Sequence, residues 1–288
     1  MISTAGQTLS FNKTEGGLRL RGTFQKHSEP DQPLVTIITV VRNGGHLLEK
    51  TINSILSQTY GNIEYIIVDG SSTDGSLEII KRYDNQVAYW ISEPDKGLYD
   101  AMNKGVGLAA GDWINFMNVG DGFFEPDTVS AVARHMQENA DLIYGHCQMV
   151  YGPEFSVTWK AGATTDLWKG MIFRHQSLFT RTAICKSLPF DLDYRISGDF
   201  AFIYSCYRSR FRFRPLDLTV SSVMLGGFSD LNLVHAMREN RRAVVRHDGS
   251  LKVRLYYGSM IVLLRIKSFI KRVLPDGLVN RMRTLKYG

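Results

Sequence analysis

Cysteine is scarce in this sequence. The chain of 288 residues has three, Cys147, Cys185 and Cys206, and none of them lies at the spacing of a metal-binding motif. A disulfide framework needs paired cysteines and an oxidising compartment, so the odd count fits a reducing one. We therefore expect all three side chains to be small buried apolar groups.

Long apolar runs are also missing. Residues 1–30 are polar and contain no apolar segment, so no signal peptide is expected. The best candidate for a membrane span, residues 260–264, stops at Arg265, whereas a spanning helix needs about 20 apolar residues. The chain has no internal repeat and no low-complexity segment. We expect a protein that is cytosolic or peripherally attached to a membrane.

Acidic residues are rare in the last part of the chain. From Arg238 to the end there are thirteen Lys or Arg and three acids, a net charge of +10. The whole chain carries +6, so the first 237 residues carry −4. A basic end on an acidic body predicts an anionic partner, either a membrane surface or nucleic acid. Interleaved apolar residues favour lipid, and we expect no nucleic acid partner.

A helical projection of this basic end gathers its apolar residues on one side. The residues of this apolar face are Val262, Ile266, Phe269, Ile270 and Val273, with Arg265 and Arg272 flanking them and Lys267 and Lys271 opposite. This arrangement predicts a helix that lies in the headgroup layer of an anionic membrane. The alternative is that the face packs on the rest of the protein, since most surface helices are amphipathic.

The rest of the sequence alternates apolar runs of strand length with segments of helical periodicity. Val35–Val41 is a β-branched run, which is typical of a strand buried on both faces. Further strands are predicted at residues 63–68, 87–91, 113–117 and 142–144, and helices at 46–56, 126–136 and around Leu77 and Met102. After residue 145 the pattern predicts a hairpin over 147–159, strands over 173–180 and 211–216, and a helix over 200–208. The alternation predicts the α/β class with a doubly wound, mostly parallel sheet.

Three motifs that combine acids with glycines each follow an apolar run. They are Val-Asp-Gly-Ser-Ser-Thr-Asp-Gly at 68–75, Glu-Pro-Asp-Lys-Gly-Leu-Tyr-Asp-Ala-Met-Asn-Lys-Gly at 93–105, and Asn-Val-Gly-Asp at 118–121. The carboxyl ends of parallel strands share one edge of the sheet, where open α/β folds bind ligands. The three motifs therefore predict a ligand site lined by carboxylates.

Individual acids in these motifs have both functional and structural interpretations. Asp69 is placed to accept hydrogen bonds from a nucleobase or ribose, and we assign the role of a helix-capping turn to Asp74 instead. Asp121 is placed to hold Mg²⁺ or Mn²⁺ together with a diphosphate, although a lone turn aspartate is common. Asp199 is either a first-turn helix aspartate or a general base. His175 is either a contact for an acceptor or phosphate, or a structural histidine.

Together these residues resemble glycosyltransferase family 2, and within it the small bacterial exopolysaccharide enzymes of colanic-acid type. The resemblance spans about residues 33–229. The matching segments, in order, are residues 68–75, 92–105, 118–121, 175–176, 194–199 and 226–229. Several ordered matches make the resemblance specific.

The resemblance implies a GT-A fold and an inverting enzyme that uses an NDP-sugar donor. Asp121 matches the last acid of the family's DxD-type motif, which holds Mn²⁺ or Mg²⁺ on the diphosphate, and Asp199 matches the catalytic base. The implied contacts with the nucleotide-sugar are Val40, Arg42, Asn43, Asp69, Asp95, Lys96, Asp100, Asn103 and Asn118, with His175 and Gln176 at the acceptor or a phosphate.

The resemblance also implies an organisation and a cellular setting. It predicts an N-terminal extension and linker over residues 1–33, a catalytic domain over 34–230 and a basic amphipathic helical segment over 231–288. The implied acceptor is a glycan or a lipid-linked glycan at the inner face of the plasma membrane, so the protein is expected to be cytoplasmic and peripheral.

The sequence departs from the family pattern at several positions. Arg42 stands where a base-stacking tyrosine is frequent, and Gly70 stands where a second acid is common after the second strand. The DxD-type motif keeps only its last acid. No Gln-x-x-Arg-Trp follows Asp199, which argues against a processive polymerase.

Two alternatives stay open, a catalytically silent GT-A scaffold protein and a sugar-nucleotide pyrophosphorylase. Release of NDP from the donor argues against the first, and release of pyrophosphate identifies the second.

Overall fold

The computed structural model describes residues 13–152, 155–224 and 232–273, and for 268–273 it describes the backbone alone. Within this part of the chain ten strands form one sheet. They are β1 (Thr14–Gly16), β2 (Val35–Val41), β3 (Ile63–Asp69), β4 (Tyr89–Ser92), β5 (Trp113–Phe116), β6 (Gly122–Phe123), β7 (Leu142–Val150), β8 (Ser156–Trp159), β9 (Leu178–Arg181) and β10 (Phe213–Met224). The helices are α1 (Gly45–Leu56), α2 (Ser76–Arg82), α3 (Leu98–Leu108), α4 (Thr128–Ala133), α5 (Thr182–Ser187), α6 (Gly198–Arg208), α7 (Leu233–Val245) and α8 (Leu251–Val273), with 3₁₀-helices at Thr164–Lys169 and His175–Ser177.

The strand order places the predicted motifs side by side. The order is β1-β4-β3-β2-β5-β9-β7-β10-β6, and β8 pairs with β7. Strands β4, β3, β2 and β5 run parallel, while β9 lies antiparallel between β5 and β7. Helices flank this sheet, and the predicted α/β class is confirmed. The hairpin predicted over residues 147–159 is also present, as β7 paired with β8.

Strand β2 explains why its sequence is apolar at nearly every position. Ile38 and Val40 pack into the core on the side of α3 and α6, while Val35, Ile37 and Val41 pack into the core on the side of α1 and α4. A strand covered on both faces has no polar side, so the alternation expected of a half-exposed strand is absent.

Some elements differ from the sequence predictions. The stretch predicted to be an N-terminal extension contains β1, which adds an antiparallel edge to β4, and its Arg19 bonds to the buried Glu64. The strand predicted over residues 173–180 begins only at Leu178, because a 3₁₀-helix occupies His175–Ser177. Strand β10 is longer than predicted and shifts register against β7 between Pro215 and Ser221. Such irregularities follow from pairing with a distant strand, so local periodicity does not encode them.

The described part of the C-terminal region is mainly helical, as predicted, and consists of α7 and α8. Val253 and Tyr257 of α8 are buried in the same core as α6. The opposite side of α8 is exposed, including Val262 and Ile266, which are 54 % and 49 % exposed. For these two residues the structure contradicts the alternative that the predicted apolar face packs on the domain. Phe269, Ile270 and Val273, the other residues of that face, lie outside the described side chains. Within the described residues, no helix is both long and apolar enough to cross a membrane.

Candidate active site

The carboxyl ends of β2, β3 and β5 meet at one edge of the sheet, and the predicted site lies there. Asp69 is the last residue of β3, and its side chain is fully buried. Its carboxylate accepts hydrogen bonds from the Ser92 hydroxyl at 2.6 Å and from both the N–H (3.1 Å) and the hydroxyl of Ser72. The carboxylate predicted to face the nucleoside is therefore held by the end of β4 and by the segment that follows β3.

Two neighbouring loops at this edge are tied together by side chains of the first motif. Asn43, whose φ is 54°, accepts the Thr73 N–H on its Oδ1 at 2.8 Å. Asp74 accepts the N–H of Gly45 at 3.0 Å and the N–H of Ser76 at 3.1 Å, which are the first residues of α1 and α2. The hydrogen bond from the Ser76 hydroxyl, followed by the one from Gly45, lowers the pKa of Asp74. Asp74 thus holds the starts of α1 and α2, but the N-cap residue of α2 is Gly75 and not Asp74.

Gly70 leaves room for the carboxylate of Asp95. A Cβ at residue 70 would lie 2.1 Å from Asp95 Oδ2, too close for any side chain without displacement of that carboxylate. The Asp95 side chain is buried, accepts the Gly97 N–H at 2.8 Å, and lies 3.9 Å from the exposed guanidinium of Arg42. Asp95 thus occupies the space beside residue 70, where the family often carries a second acid.

The remaining residues predicted to contact the nucleotide-sugar differ in their burial and in the hydrogen bonds that their side chains already make. Asp100 accepts the backbone N–H of Lys96 at 2.9 Å, and the Lys96 residue itself is exposed. Asn103 bonds through both ends of its amide to the backbone of Phe190, at 2.8 and 2.9 Å. Val40 is buried in β2. Asn103 therefore fastens α3 to the segment before α6, and its contact with a donor stays a prediction.

The turn that ends in Asp121 is held by α1. The Thr51 hydroxyl donates to the backbone oxygen of Asp121 at 2.8 Å and accepts the Gly120 N–H at 2.9 Å. Gly120 has a φ of 93°, a conformation that side chains disfavour. Lys50 Nζ donates to the Gly120 oxygen at 3.3 Å. The position of Asp121 is thus fixed by the buried side of a helix far from it in sequence.

The carboxylate of Asp121 is buried and makes two hydrogen bonds. Gln176 Nε2 donates to Oδ2 at 2.6 Å, and the backbone N–H of Met224 donates to Oδ1 at 3.1 Å. Burial raises the pKa of Asp121 to about 6, against the lowering effect of the Gln176 hydrogen bond. The matching residues 226–229, which follow Met224 closely, lie outside the described residues.

Asp199 lies in the first turn of α6 and bonds to three groups. His175 Nδ1 donates to Oδ2 at 2.8 Å, and Oδ1 accepts the Phe200 N–H at 2.8 Å and the Tyr99 hydroxyl at 3.4 Å. His175 Nε2 in turn lies 3.0 Å from Asn118 Nδ2. Burial opposes ionisation of Asp199, but the hydrogen bond and positive charge of His175 outweigh it, and the net pKa of Asp199 is lowered.

Both acids are contacted by one 3₁₀-turn. Its consecutive residues His175 and Gln176 bond to Asp199 and Asp121 respectively. Asn115, buried in β5, donates to the backbone oxygens of Gln176 and of Leu178, each at 2.9 Å, and so anchors this turn. Sequence reasoning missed Asn115 and Thr51. For Asn115 a signal exists, since an amide inside an apolar strand needs buried partners.

The residues around Asp121 fit a hard divalent cation. The amide oxygens of Asn118 and Gln176 are buried and have no hydrogen-bond partner, so oxygen ligands are available beside the carboxylate. No group of three or more His, Cys, Asp or Glu that could hold a metal occurs in the described part of the chain. Mg²⁺ typically binds one or two carboxylates and substrate phosphates and keeps several waters, so a single carboxylate is compatible with it.

Comparison with known proteins decides the family. A sequence model described as glycosyl transferase family 2 matches residues 36–205, more than half of the chain. The chain belongs to glycosyl transferase family 2. The PGL/p-HBAD biosynthesis glycosyltransferase of Mycobacterium bovis is 33% identical over 184 residues, which cover 61% of this chain and 70% of that relative. The predicted family is confirmed, and the protein is a glycosyltransferase.

Solved structures agree on the fold. The structure of S. aureus TarS 1-349 in complex with UDP-GlcNAc has a TM-score of 0.60 at 17% identity, covering 75% of this chain and 67% of that TarS fragment. The mannosyltransferase PcManGT from Pyrobaculum calidifontis, in complex with GDP-Man and Mn²⁺, has a TM-score of 0.57 at 17% identity, covering 83% of this chain and 82% of PcManGT. At such identities the likeness concerns the fold, and the predicted GT-A fold of the family 2 glycosyltransferase is confirmed.

Proposed function

We propose that this glycosyltransferase transfers one sugar, with inversion, from an NDP-sugar to a hydroxyl of a glycan or lipid-linked acceptor. The observation that carries the proposal is the pairing of two acids, the buried Asp121 and the partly buried Asp199, with consecutive residues of one 3₁₀-turn. One acid suits a metal-bound diphosphate and the other suits proton removal, which are the two requirements of the reaction.

Asp199 is proposed as the general base. Its net lowered pKa keeps the carboxylate ionised near neutral pH, so it can accept a proton. It takes the proton from the acceptor hydroxyl while that oxygen forms a bond to the anomeric carbon and the bond to the departing NDP breaks. His175 and Tyr99 orient the carboxylate, which is the role that partners of a catalytic base usually have.

Asp121 is proposed to hold Mn²⁺ or Mg²⁺, with the amide oxygens of Asn118 and Gln176 nearby. When bound, the ion would stabilise the negative charge that develops on the leaving diphosphate. The charge of the ion would also favour the ionised form of Asp121, which burial alone disfavours. PcManGT, which has the same fold, is known with GDP-Man and Mn²⁺. This neighbour supports the metal assignment.

The donor loops are proposed to hold the nucleotide, with Asp69 and Asp95 near the nucleoside and Arg42 at the mouth of the site. Arg42 is largely exposed and lies beside the buried carboxylate of Asp95, so it is placed to cover a base. The neighbouring structures include one UDP-sugar and one GDP-sugar complex. The chemistry common to both is a nucleoside diphosphate, and we propose this class.

The direct test is release of NDP from candidate donors in the presence of Mn²⁺. We expect UDP-GlcNAc, GDP-mannose or a related donor to raise the melting temperature and to be slowly hydrolysed to NDP, since a ligand that binds only the folded state stabilises it. A donor that stabilises the protein without any NDP release, with or without glycan acceptors, would favour the silent scaffold protein. Release of pyrophosphate would favour the pyrophosphorylase.

We also propose that α8 places the enzyme on an anionic membrane surface, where a lipid-linked acceptor for cell-surface polysaccharide synthesis would be available. Support comes from the exposure of Leu255, Val262 and Ile266 on the side of α8 opposite its buried residues. Arg265 and Lys267 lie beside this stripe in sequence. Apolar residues flanked by cations are the arrangement expected of an interfacial helix.

A further inference from the structure

Glu239 is a buried carboxylate that the proposed reaction does not use. It lies in α7, beyond the last residue matched by the family model. Its Oε1 accepts the N–H of Arg195 at 2.9 Å, and its Oε2 accepts the N–H of Ile196 at 2.9 Å and of Ser197 at 2.8 Å. One charged side chain thus satisfies three consecutive backbone donors. Hydrogen bonds to an ionised acceptor are stronger than neutral ones, so this anchor is a firm one.

Other residues of α7 hold the same stretch of backbone. Arg242 donates to the Asp193 oxygen at 2.8 Å, and its guanidinium lies 3.9 Å from the centre of the Tyr194 ring. The Ser197 hydroxyl donates to the Ala236 oxygen at 3.3 Å. Residues 193–197 are therefore fastened to α7 along their whole length.

This fastened stretch leads directly into the proposed base. Ser197 is the N-cap residue of α6, and Asp199 follows two positions later. Gly198 between them packs so closely on Tyr99 that a Cβ there would lie 2.7 Å from its ring. Contact with Tyr99 prevents the N-terminus of α6 from moving toward that ring. Its position therefore depends on the hydrogen bonds that Glu239 accepts from residues 195–197. A displacement of about 1 Å at a catalytic group can cost about 10²-fold in rate.

We propose that Glu239 is a positioning residue, which holds residues 195–197 so that Asp199 meets the acceptor hydroxyl in a productive geometry. The inference rests on the proposed role of Asp199 as general base. It makes α7 a part of the catalytic unit, although the family model ends at residue 205. Glu239 does not touch the donor, so its loss should affect turnover and leave donor binding nearly unchanged.

The experiment compares Glu239→Gln with Arg238→Gln, an exposed neighbour on the same helix. The probe is the NDP-sugar that raises the melting temperature with Mn²⁺, and the readouts are kcat for NDP release, KM for the donor, and melting temperature. We expect Glu239→Gln to lower kcat at least tenfold, with donor KM within about twofold and the protein folded. Arg238→Gln should match the wild type. If Glu239→Gln does not fold, Arg242→Gln is measured instead, and a smaller loss in kcat with unchanged donor KM is expected.

Two outcomes would overturn the inference. The first is a folded Glu239→Gln protein with wild-type kcat. The second is a variant in which donor KM rises and melting temperature falls in step with kcat, because a merely structural residue would produce that pattern. Asp199→Asn is measured in parallel. If that variant retains full activity, the proposed base is wrong, whereas an inactive Asp199→Asn beside a fully active Glu239→Gln refutes the positioning role alone.

Discussion

Two acids of the donor loops, Asp69 and Asp74 (the loop acids), and two acids of the proposed catalytic centre, Asp121 and Asp199 (the deep acids), differ in how far along the chain their hydrogen-bond partners lie. Within the described residues, the side chains of Asp69 and Asp74 bond to groups fewer than 30 positions away, at the neighbouring strand and helix ends. Asp121 is held by groups 55 and 103 positions away, and Asp199 combines the nearer partners His175 and Phe200 with Tyr99, 100 positions away. The loop acids stabilise their own turns, while the surroundings of the deep acids include distant parts of the chain and form only when the domain folds. The deep acids are therefore the better candidates for chemistry.

The environments of the two deep acids also separate them from each other. Burial raises the pKa of Asp121, while at the partly buried Asp199 the contact with His175 more than offsets burial and the pKa is lowered. Two carboxylates whose pKa values are moved in opposite directions are suited to different tasks. Asp121 is protonated more readily than an ordinary aspartate, and a bound cation would favour its ionised form, whereas Asp199 is ionised near neutral pH without a cation.

The largest effect is expected at Asp199. Asp199→Asn keeps the shape of the side chain and removes its ability to accept a proton, so transfer should fall by roughly 10²–10⁴-fold. Donor affinity, measured by calorimetry, should be nearly unchanged. Asp193→Asn, an exposed aspartate six positions earlier, serves as the control and should have wild-type activity. Wild-type turnover by Asp199→Asn would mean that the base lies elsewhere.

The next effect is the loss of metal dependence at Asp121. Asp121→Asn should abolish the Mn²⁺-dependent tightening of NDP binding, because the only carboxylate at this turn is removed. The fold should survive, since a neutral amide at a buried position removes a desolvated charge. Asp127→Asn, an exposed residue before α4, is the control. Metal-dependent NDP binding by Asp121→Asn in calorimetry, equal to that of the wild type, would refute the assignment.

The same comparison shows which parts of the fold and site the sequence predicts. The run Val35–Val41 was sufficient to predict a central strand, because its burial on both faces is a local property of composition. The position of Asp69 at the end of β3 and that of Asp121 in the turn after β5 were predicted for the same reason. Periodicity reports whether a side chain is buried but not which distant group it meets, so the contacts of Gln176 with Asp121 and of Glu239 with residues 195–197 were not predictable.

A smaller effect is expected in the donor loops, at Gly70. Gly70→Ala would place a methyl group 2.1 Å from Asp95 Oδ2, and the flexible carboxylate would have to turn away. Donor KM should rise about tenfold, which corresponds to about 1.4 kcal/mol, with little change in stability. Gly61→Ala is the matched control, because a Cβ there meets no atom within 4 Å. If neither Gly70→Ala nor Asp95→Ala changes donor KM, Asp95 has no part in donor binding.

The smallest effect per residue is expected on α8, where the exposed stripe is unlike either group of acids. The described basic side chains of α8 face solvent. Each basic residue near an anionic surface contributes about 1 kcal/mol to membrane binding, and salt screens this attraction. We expect the full chain to bind phosphatidylserine-containing vesicles in low salt and not to bind neutral phosphatidylcholine vesicles. Val262→Ser with Ile266→Ser should weaken this binding by removing apolar contact, and Arg265→Gln with Lys267→Gln should reduce its dependence on salt.

Substitution of these four side chains is preferable to a truncation before α8, which would remove the buried Val253 and Tyr257. Leu20→Ser, at an exposed leucine far from α8 in sequence, controls for a general loss of surface apolarity. We expect NDP release to be the same in the wild-type protein and in all of these variants. Equal sedimentation of the wild-type protein and both double variants with anionic vesicles would show that the stripe does not contact lipid.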